Sequence, residues 1–297
     1  MTDVTAAAPL ESPRRRGFYL DLLVRLFREK PLGAFGGTIF VAFLFCSIFA
    51  DVLAPEGQNQ PHLEHRLEAP SPQFPMGTDH LGRDVFSRVL IAGRLSMMIG
   101  ILGAGLATVI SIVLGVLSGY FGGMLDLILQ RMVDAWMTFP PFILLLIFVN
   151  IVGPGVLSIA VILALGFGIA GSRIIRGSVI SVREDMYVHA AQSSGAGTFH
   201  VLRRHILPNI MPVVIVLFTI RIGAVILSEA GLAFLGLGVP PPQPTWGGML
   251  SSTGLTYMYL NHWLVVFPGL CLFIVVYAVN VFGDALRDLL DPRMRGT

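Results

Sequence analysis

The sequence has 297 residues, of which 54% are hydrophobic and 13% are charged, with a mean hydropathy of +0.76. A soluble domain carries about 25% charged residues, so this composition excludes an ordinary soluble protein and indicates a chain that crosses a membrane several times. The formal net charge of +2 excludes little, because the placement of the charges matters more than their sum.

Three residue types narrow the class of protein further. The one lysine, Lys30, does not follow a glycine, so the chain has no G-x-x-x-x-G-K-[ST] loop and cannot by itself be a P-loop ATPase. The two cysteines, Cys46 and Cys271, lie in apolar stretches, which favours single thiols over a disulfide or metal site. His62 and His65 lack a third ligand at a recognisable spacing, so no metal site is predicted.

Long uncharged stretches predict an all-α fold with six transmembrane helices. A spanning helix needs about 20 mostly apolar residues, so the uncharged stretch 135–172 is too long for one helix, and the G-P-G at 153–155 divides it. The P-P pair at 140–141 predicts a kink, and the proline run 240–244 predicts a stiff connector. The predicted spans lie near residues 32–50, 95–125, 130–150, 156–175, 210–237 and 263–282.

The basic residues predict the orientation of these spans. Six spans place both chain ends on one side of the membrane. With both ends inside, fourteen Lys and Arg residues lie on the inner side, and four lie outside. Positive charge accumulates on the cytoplasmic side of membrane proteins, so we expect an N-in/C-in orientation. The four outer residues are Arg66, Arg83, Arg88 and Arg94.

A helix is also predicted in the hydrophilic stretch before the second span. Prolines dominate residues 55–75, whereas the pattern becomes helical from Asp79 onward. Asp84 and Arg88 are spaced i, i+4, a pair worth roughly a few tenths of a kcal/mol in a helix. We expect a short amphipathic helix that lies at the membrane surface.

Residues 186–208, here called the hydrophilic island, separate two apolar spans. Ser181 and Glu184 have the spacing of a capping box, which predicts that a helix begins there. Gly195 and Gly197 would break that helix, Thr198 would begin a second one, and Pro208 would end it. Small side chains on the island would let another protein approach closely: Ala190, Ala191, Ser193, Ser194 and Gly195.

Three charged residues fall in or near the predicted spans and are candidate functional residues, because charge at membrane depth is costly. Arg221 and Glu229 are eight residues apart on the fifth span. They could line one side of a pore, pair with a partner subunit, or form a buried ion pair that fixes helix packing. Asp134 lies one turn from Arg131, which favours a local pair.

The island resembles the EAA loop of ABC importer permeases, E-A-A-x-x-x-G followed about a dozen residues later by x-L-P. Tyr187 precedes the motif, and His189 stands where the pattern has Glu. The matching residues are Ala190, Ala191, Gly195, Leu207 and Pro208.

Further motifs resemble the C-type permease subunits of dipeptide, oligopeptide and nickel importers, in the right order from about residue 20 to 295. They are M-G-T-D-H-L-G-R-D (76–84), R-H-I-L-P-N (204–209), F-L-G-L-G (234–238), W-G (246–247), G-D-A-L-R-D (283–288) and D-P (291–292).

The resemblance implies a type I ABC importer permease fold in the bacterial inner membrane. It divides the chain into a cytoplasmic tail (1–31), a first transmembrane helix (32–54), an extracytoplasmic segment with an amphipathic helix (55–94), a five-helix permease core (95–285) and a cytoplasmic tail (286–297). Residues 176–209 would be the cytoplasmic coupling loop within the core.

The implied function is that of a non-catalytic subunit that forms half of a pathway for di- and oligopeptides. The implied partners are a second homologous permease, two P-loop ATPases, an extracytoplasmic solute-binding protein and the lipid bilayer, without nucleic acid. ATP and magnesium would bind the ATPases, and this chain would bind no cofactor. The alternatives are the same machinery carrying nickel, glutathione or another small solute, and a stand-alone channel or secondary transporter.

Overall fold

The computed structural model describes residues 18–57 and 59–290, and the secondary-structure elements of these residues are all helices, without any strand. The predicted tails comprise residues 1–31 and 286–297, and their outer parts, residues 1–17 and 291–297 with the D-P motif, lie outside the described residues. The helices are α1 (Phe18–Glu29), α2 (Pro31–Ile48), α3 (Ala50–Leu53), α4 (Val85–Val116), α5 (Gly123–Thr138), α6 (Pro141–Val152), α7 (Val156–Arg183), α8 (Met186–Ser193), α9 (Thr198–Val201), α10 (Leu207–Phe234), α11 (Trp246–Leu250), α12 (Ser252–Tyr257) and α13 (Trp263–Leu290).

Five described helical stretches are long and apolar enough to cross a membrane. A sixth crossing would need α5 and α6 together, and these two helices meet at an angle of 91°. The break lies at Phe139 and Pro140, just before Pro141, because proline lacks an N–H group and disfavours helical geometry in the residue before it. The five stretches are Pro31–Ile48, Val85–Phe121, Val156–Arg183, Thr198–Phe234 and Trp263–Leu290.

The predicted surface helix before the second span is absent, because α4 starts at Val85 and runs without a break through the membrane-length stretch. Asp84 is the residue that caps this helix. Its carboxylate accepts hydrogen bonds from the backbone N–H groups of Phe86 (3.2 Å) and Ser87 (2.9 Å). A carboxylate at this position satisfies N–H groups that have no partner inside the helix.

Glycines allow the long helices to approach closely, as is usual where apolar lipid gives little driving force for association. A Cβ atom on Gly115 of α4 would lie 2.7 Å from Ile175 of α7, and one on Gly100 would lie 2.4 Å from Ile226 of α10. On the other side, a Cβ on Gly36 of α2 would lie 2.6 Å from the Ala278 carbonyl oxygen of α13. Close backbone contact therefore holds α2 on α13 and α4 between α7 and α10.

We predict that Gly36→Ala lowers the free energy of unfolding by about 1–3 kcal/mol, because an added methyl group would meet backbone rather than a movable side chain. Gly105→Ala is the matched control, since its new methyl group would meet only Phe218, at 3.9 Å. Unfolding of the purified protein in a denaturing detergent measures both variants. Equal stability of the two would contradict the close α2–α13 packing.

Candidate functional site

The hydrophilic island forms a helix, a tight turn and the start of a long helix. The predicted capping box is wrong, because Ser181 lies in the last turn of α7 and Glu184 follows the end of that helix. The next helix, α8, begins at Met186, after Asp185, whose extended backbone lets the chain change direction without a side-chain cap.

Gly195 ends α8 with a left-handed turn. Its φ is +83°, a conformation that glycine adopts without steric cost. The N–H of Gly195 bonds to the Gln192 carbonyl at 3.0 Å, and the N–H of Ala196 bonds to the Ala191 carbonyl at 3.1 Å. These two bonds form a Schellman motif, so the predicted break at Gly195 is confirmed.

Pro208 does not end a helix, contrary to the sequence prediction. Helical structure continues from Thr198 to Phe234, through a π-helical turn at Leu202–Ile206. The N–H of Leu207 reaches back to the Leu202 carbonyl, and Pro208 then occupies the first turn of α10. Proline is tolerated there because it has no N–H to donate, and the widened turn places it at a helix start.

Apolar side chains fix the island to the long helices. Val188 of α8, Val201 of α9 and Ile206 of the π-helical turn are completely buried. They pack in one cluster with Ile175 and Val179 of α7. We call these five residues the anchor cluster. Burying such a side chain contributes about 1.5–3 kcal/mol, so the island is held in a defined position rather than being a loose connection.

A cationic side chain adds a second attachment. Arg183, at the end of α7, donates through Nη1 to the backbone carbonyls of Gly119 (3.4 Å) and Tyr120 (3.0 Å) in the π-helical turn that follows α4. Its Nη2 lies 2.9 Å from one carboxylate oxygen of Glu184, and the other oxygen of that carboxylate lies 3.8 Å from His189 Nε2. His189, which is exposed, therefore has an acidic neighbour.

The residues expected to contact a partner lie on or beside the exposed surface of the island. Tyr187, His189, Ala190 and Gly195 are exposed, and Ala191 is half-buried. Leu207 packs against the anchor cluster, whereas Pro208 is exposed at the start of α10.

Two aromatic side chains of the island lie outside the anchor cluster. The ring of Tyr187 lies 6.1 Å from that of His205, and partial burial together with the neighbouring Asp185 raises the pKa of the Tyr187 hydroxyl. Phe199 is 75% exposed, an apolar side chain that sequence reasoning did not select as a contact residue.

Arg221 is buried between three helices. Its guanidinium group donates to Ser111 Oγ at 2.9 Å and to Thr108 Oγ1 at 3.3 Å, both on α4. It also lies so close to Gly171 of α7 that a Cβ atom there would overlap it. The side chain connects α10 to α4 and α7, and only 6% of the residue is exposed.

Glu229 is fully buried, and Arg221 is not its partner. Neither carboxyl oxygen has a hydrogen-bond partner of standard geometry among the described residues. The side chains of Ser96 and Thr245 are its polar neighbours. The two buried charges therefore occupy separate surroundings on α10, about 12 Å apart along the helix axis.

Asp134 has two cationic neighbours. It contacts Arg173 of α7 closely and lies 3.4 Å from Arg131 Nη1. Sequence reasoning missed the adjacent pair, in which Arg176 donates to both oxygens of Asp126 at 2.7 and 2.6 Å. A separation of 50 residues gives no sequence signal for such a pair.

The motif at 76–84 builds a rigid turn at the opposite end of the molecule. Asp79 accepts hydrogen bonds from the backbone of Leu81 (2.8 Å) and Arg83 (3.0 Å), and from Arg83 Nε (2.7 Å). Gly77 and Gly82 supply positive φ angles of 74° and 76°. The roles visible for these residues are a stable turn and the cap of α4.

Comparison with known proteins identifies the family. Residues 111–296 match the family described as binding-protein-dependent transport system inner membrane component. The chain belongs to that family. Residues 19–70 also match the N-terminal transmembrane domain of oligopeptide transport permease C. The predicted relationship to the dipeptide and oligopeptide permeases is confirmed, and the chain is a permease subunit of an ABC importer.

Relatives from three organisms align over most of this permease. The dipeptide transport system permease protein DppC of Alkalihalophilus pseudofirmus is 34% identical over 96% of this chain and 91% of its own. A putative peptide permease protein of Brucella suis is 39% identical over 90% of this chain and 89% of its own. The glutathione transport system permease protein GsiD of Pectobacterium atrosepticum is 35% identical over 91% of this chain and 90% of its own.

The fold has a counterpart among solved structures. An inward-facing form of the MetNI methionine ABC transporter superposes with a TM-score of 0.54 at 20% identity. The superposition covers 69% of the permease described here and 97% of the matched chain. This likeness, together with the helical structure, confirms the all-α ABC permease fold.

We predict that Gly195→Val speeds amide hydrogen exchange at Ala196, because a left-handed conformation costs an ordinary L-residue roughly 1–2 kcal/mol. Gly195→Asn is the matched control, since asparagine adopts this conformation more readily. Hydrogen exchange read by mass spectrometry on peptides spanning residues 188–200 tests this. Equal exchange in the two variants would contradict the Schellman turn.

We predict that Arg221→Met and Glu229→Gln change the free energy of unfolding additively, to within about 0.5 kcal/mol. The two groups share no hydrogen-bond partner, and their separation along α10 keeps them out of contact. Unfolding of both single variants and the double variant completes the cycle. A coupling energy above about 1 kcal/mol would show that the two charges form a pair after all.

Proposed function

We propose that this permease is one of two homologous transmembrane subunits of an ATP-driven peptide importer in the bacterial cytoplasmic membrane. The single observation that carries the proposal is the alignment with a dipeptide permease over 96% of the chain. The named relatives carry peptides or glutathione. These relatives therefore favour short peptides as the cargo.

The proposed topology has six crossings with both chain ends inside. In this arrangement α5 and α6 together make one bent crossing, and the hydrophilic island lies in the cytoplasm. The charge asymmetry supports it, since Arg173, Arg176, Arg183, Arg203 and Arg204 all lie on α7, the island and their junction. The end with the 76–84 turn and the proline run then faces outward.

The island is the proposed docking surface for a P-loop ATPase. The exposed face of α8 presents the small side chains of Ala190 and Ser193, over which another backbone could approach closely. Tyr187 and Phe199 add exposed aromatic area of the kind that is enriched at protein interfaces. Because the chain has no phosphate-binding lysine, ATP and magnesium would bind the partner ATPases, and this subunit would be non-catalytic and hold no cofactor.

Movement of the ATPases would reach the membrane helices through the anchor cluster. Val188 packs on α7, while α9 and the π-helical turn lead directly into α10. A push on α8 therefore reaches two membrane-length helices at once. Such a rigid contact between packed elements is what a switch between inward and outward access requires.

One alternative, a different cargo, remains as a test outcome. Glutathione is favoured by the GsiD relatives and would use the same machinery, as would nickel or another small solute. The stand-alone channel or secondary transporter considered from the sequence is excluded by the family to which the chain belongs. Reconstitution of the chain with its second permease, ATPases and binding protein decides among the cargoes. Peptide uptake that requires both ATP and binding protein supports the proposal, whereas uptake of glutathione or nickel without uptake of peptide would overturn it.

We predict that Ala190→Glu reduces peptide uptake and peptide-stimulated ATP hydrolysis about tenfold or more, because a buried unpaired charge in the docking surface costs several kcal/mol. Membrane insertion and pairing with the second permease should be unchanged, since the side chain is exposed in this subunit. Ala190→Ser, which keeps the residue small, is the matched control. Unchanged coupled transport by Ala190→Glu would contradict docking at this surface.

A further inference from the structure

A cavity of about 680 Å³ opens at the end of the molecule opposite the hydrophilic island. Its walls come from three separate parts of the chain. One is the turn that precedes α4 together with Arg88 near the start of α4, one is Pro154 between α6 and α7, and the third lies within the stretch from Ala233 to Ser251, which contains the proline run. A cavity of this size falls in the range of small-ligand sites, about 300–1,000 Å³.

The charged residues that line the cavity are all basic. Arg83 and Arg88 contribute guanidinium groups and His80 an imidazole ring, while no Asp or Glu belongs to the described lining. Burial lowers the pKa of His80, so its ring is neutral at neutral pH. The positive charge of the wall therefore comes from the two arginines.

Within the described part of the chain, the guanidinium group of Arg83 forms a hydrogen bond through Nε only. Its Nε donates to Asp79 Oδ2 at 2.7 Å, and the terminal nitrogens Nη1 and Nη2 have no partner among the described residues. Asp79 also lies 3.6 Å from Arg88 Nε, so one carboxylate faces two guanidinium groups. The neighbouring Asp84 points to the first turn of α4, where it caps Phe86 and Ser87.

The cavity is recessed and its wall is stiff. The side chains of Arg83 and Arg88 line the cavity and are only 14% and 11% exposed, so most of each side chain is covered by neighbouring residues. Prolines at positions 240–242 and 244 restrict the opposite wall. Recessed guanidinium groups with little freedom to move suit a small anion that enters the cavity, because little order is lost on binding.

We propose that this cavity binds the terminal carboxylate of a peptide as it enters the transport pathway. The inference rests on the proposed function, since it assumes a peptide cargo and an outward-facing cavity. A guanidinium group recognises a carboxylate through two parallel N–H···O bonds. Arg83 offers its free terminal nitrogens for this purpose, while Asp79 keeps the group in place.

Two matched variants test the charge of the cavity without disturbing the Asp79 ion pairs. Gln243 is exposed, lines the cavity, and makes no hydrogen bond to the described residues. Gln243→Glu adds a negative charge at the wall. Gln73→Glu adds the same charge at an exposed position of the same end, outside the cavity. Arg83→Lys and Arg83→Gln then compare a retained with a lost positive charge.

The experiment measures binding of the dipeptide Ala-Ala and of its C-terminal amide by saturation-transfer NMR, on the whole transporter in nanodiscs without binding protein. We expect the free carboxylate to bind and the amide to bind about tenfold more weakly. Gln243→Glu should weaken Ala-Ala binding roughly five- to tenfold, as expected for a like charge within several ångströms. Gln73→Glu should have no effect, and Arg83→Lys should retain more binding than Arg83→Gln.

Equal binding of the amide, or equal affinities of Gln243→Glu and Gln73→Glu, would overturn the inference. So would a Gln243→Glu variant that binds Ala-Ala normally but no longer docks the binding protein, because the cavity would then belong to the protein interface. Failure of the proposed function looks different, since the wild-type transporter would then take up no peptide. If the wild-type transporter takes up peptide normally and both glutamate variants bind Ala-Ala equally well, only this inference is contradicted, and the proposed function stands.

Discussion

The contact on which the rest of the structure depends is the anchor cluster, where Val188, Val201 and Ile206 pack against Ile175 and Val179. A hydrophilic loop between two membrane helices gains nothing from the bilayer and would otherwise move independently. Complete burial of three apolar side chains ties it to α7 and to the start of α10. The exposed face of α8 therefore has a fixed position relative to α7 and α10.

Continuity of the backbone extends this constraint across the molecule. Helical structure from Thr198 to Phe234 joins the island to the cavity at the other end, over roughly 55 Å at 1.5 Å per residue. Arg221 holds the middle of this helix to α4 through Ser111 and Thr108. In the proposed coupling, a displacement of the island would therefore reach the cavity through one continuous helical stretch.

Sequence patterns located the apolar helices and the exposed island well, because apolar stretches indicate segments that lie in the membrane and charged stretches indicate segments that lie in water. They were less successful at helix ends. Pro208 would stop a helix by local rules, but the π-helical turn before it provides a new helix start. Asp84 matched an i, i+4 pair with Arg88, whereas the structure uses its carboxylate as the cap of α4.

Long-range pairing was beyond sequence reasoning for a different reason. Arg176 reaches Asp126 across 50 residues, and Arg221 uses hydroxyl groups on α4 in place of the carboxylate on its own helix. Such partners depend on which helix faces meet, and that is decided by glycine contacts such as Gly115 against Ile175. Gly195 was recognisable because its positive φ is a local requirement of the turn.

Photo-crosslinking from position 190 tests the central claim most directly. A photoreactive amino acid replaces Ala190 in membranes that contain the whole transporter, and the same amino acid replaces Tyr259, which is highly exposed in the turn between α12 and α13, as the control. Docking of the ATPase on α8 predicts a crosslink from position 190 to a P-loop ATPase and none to that protein from position 259. Crosslinks from position 190 to lipid alone, or to an extracytoplasmic protein, would contradict it.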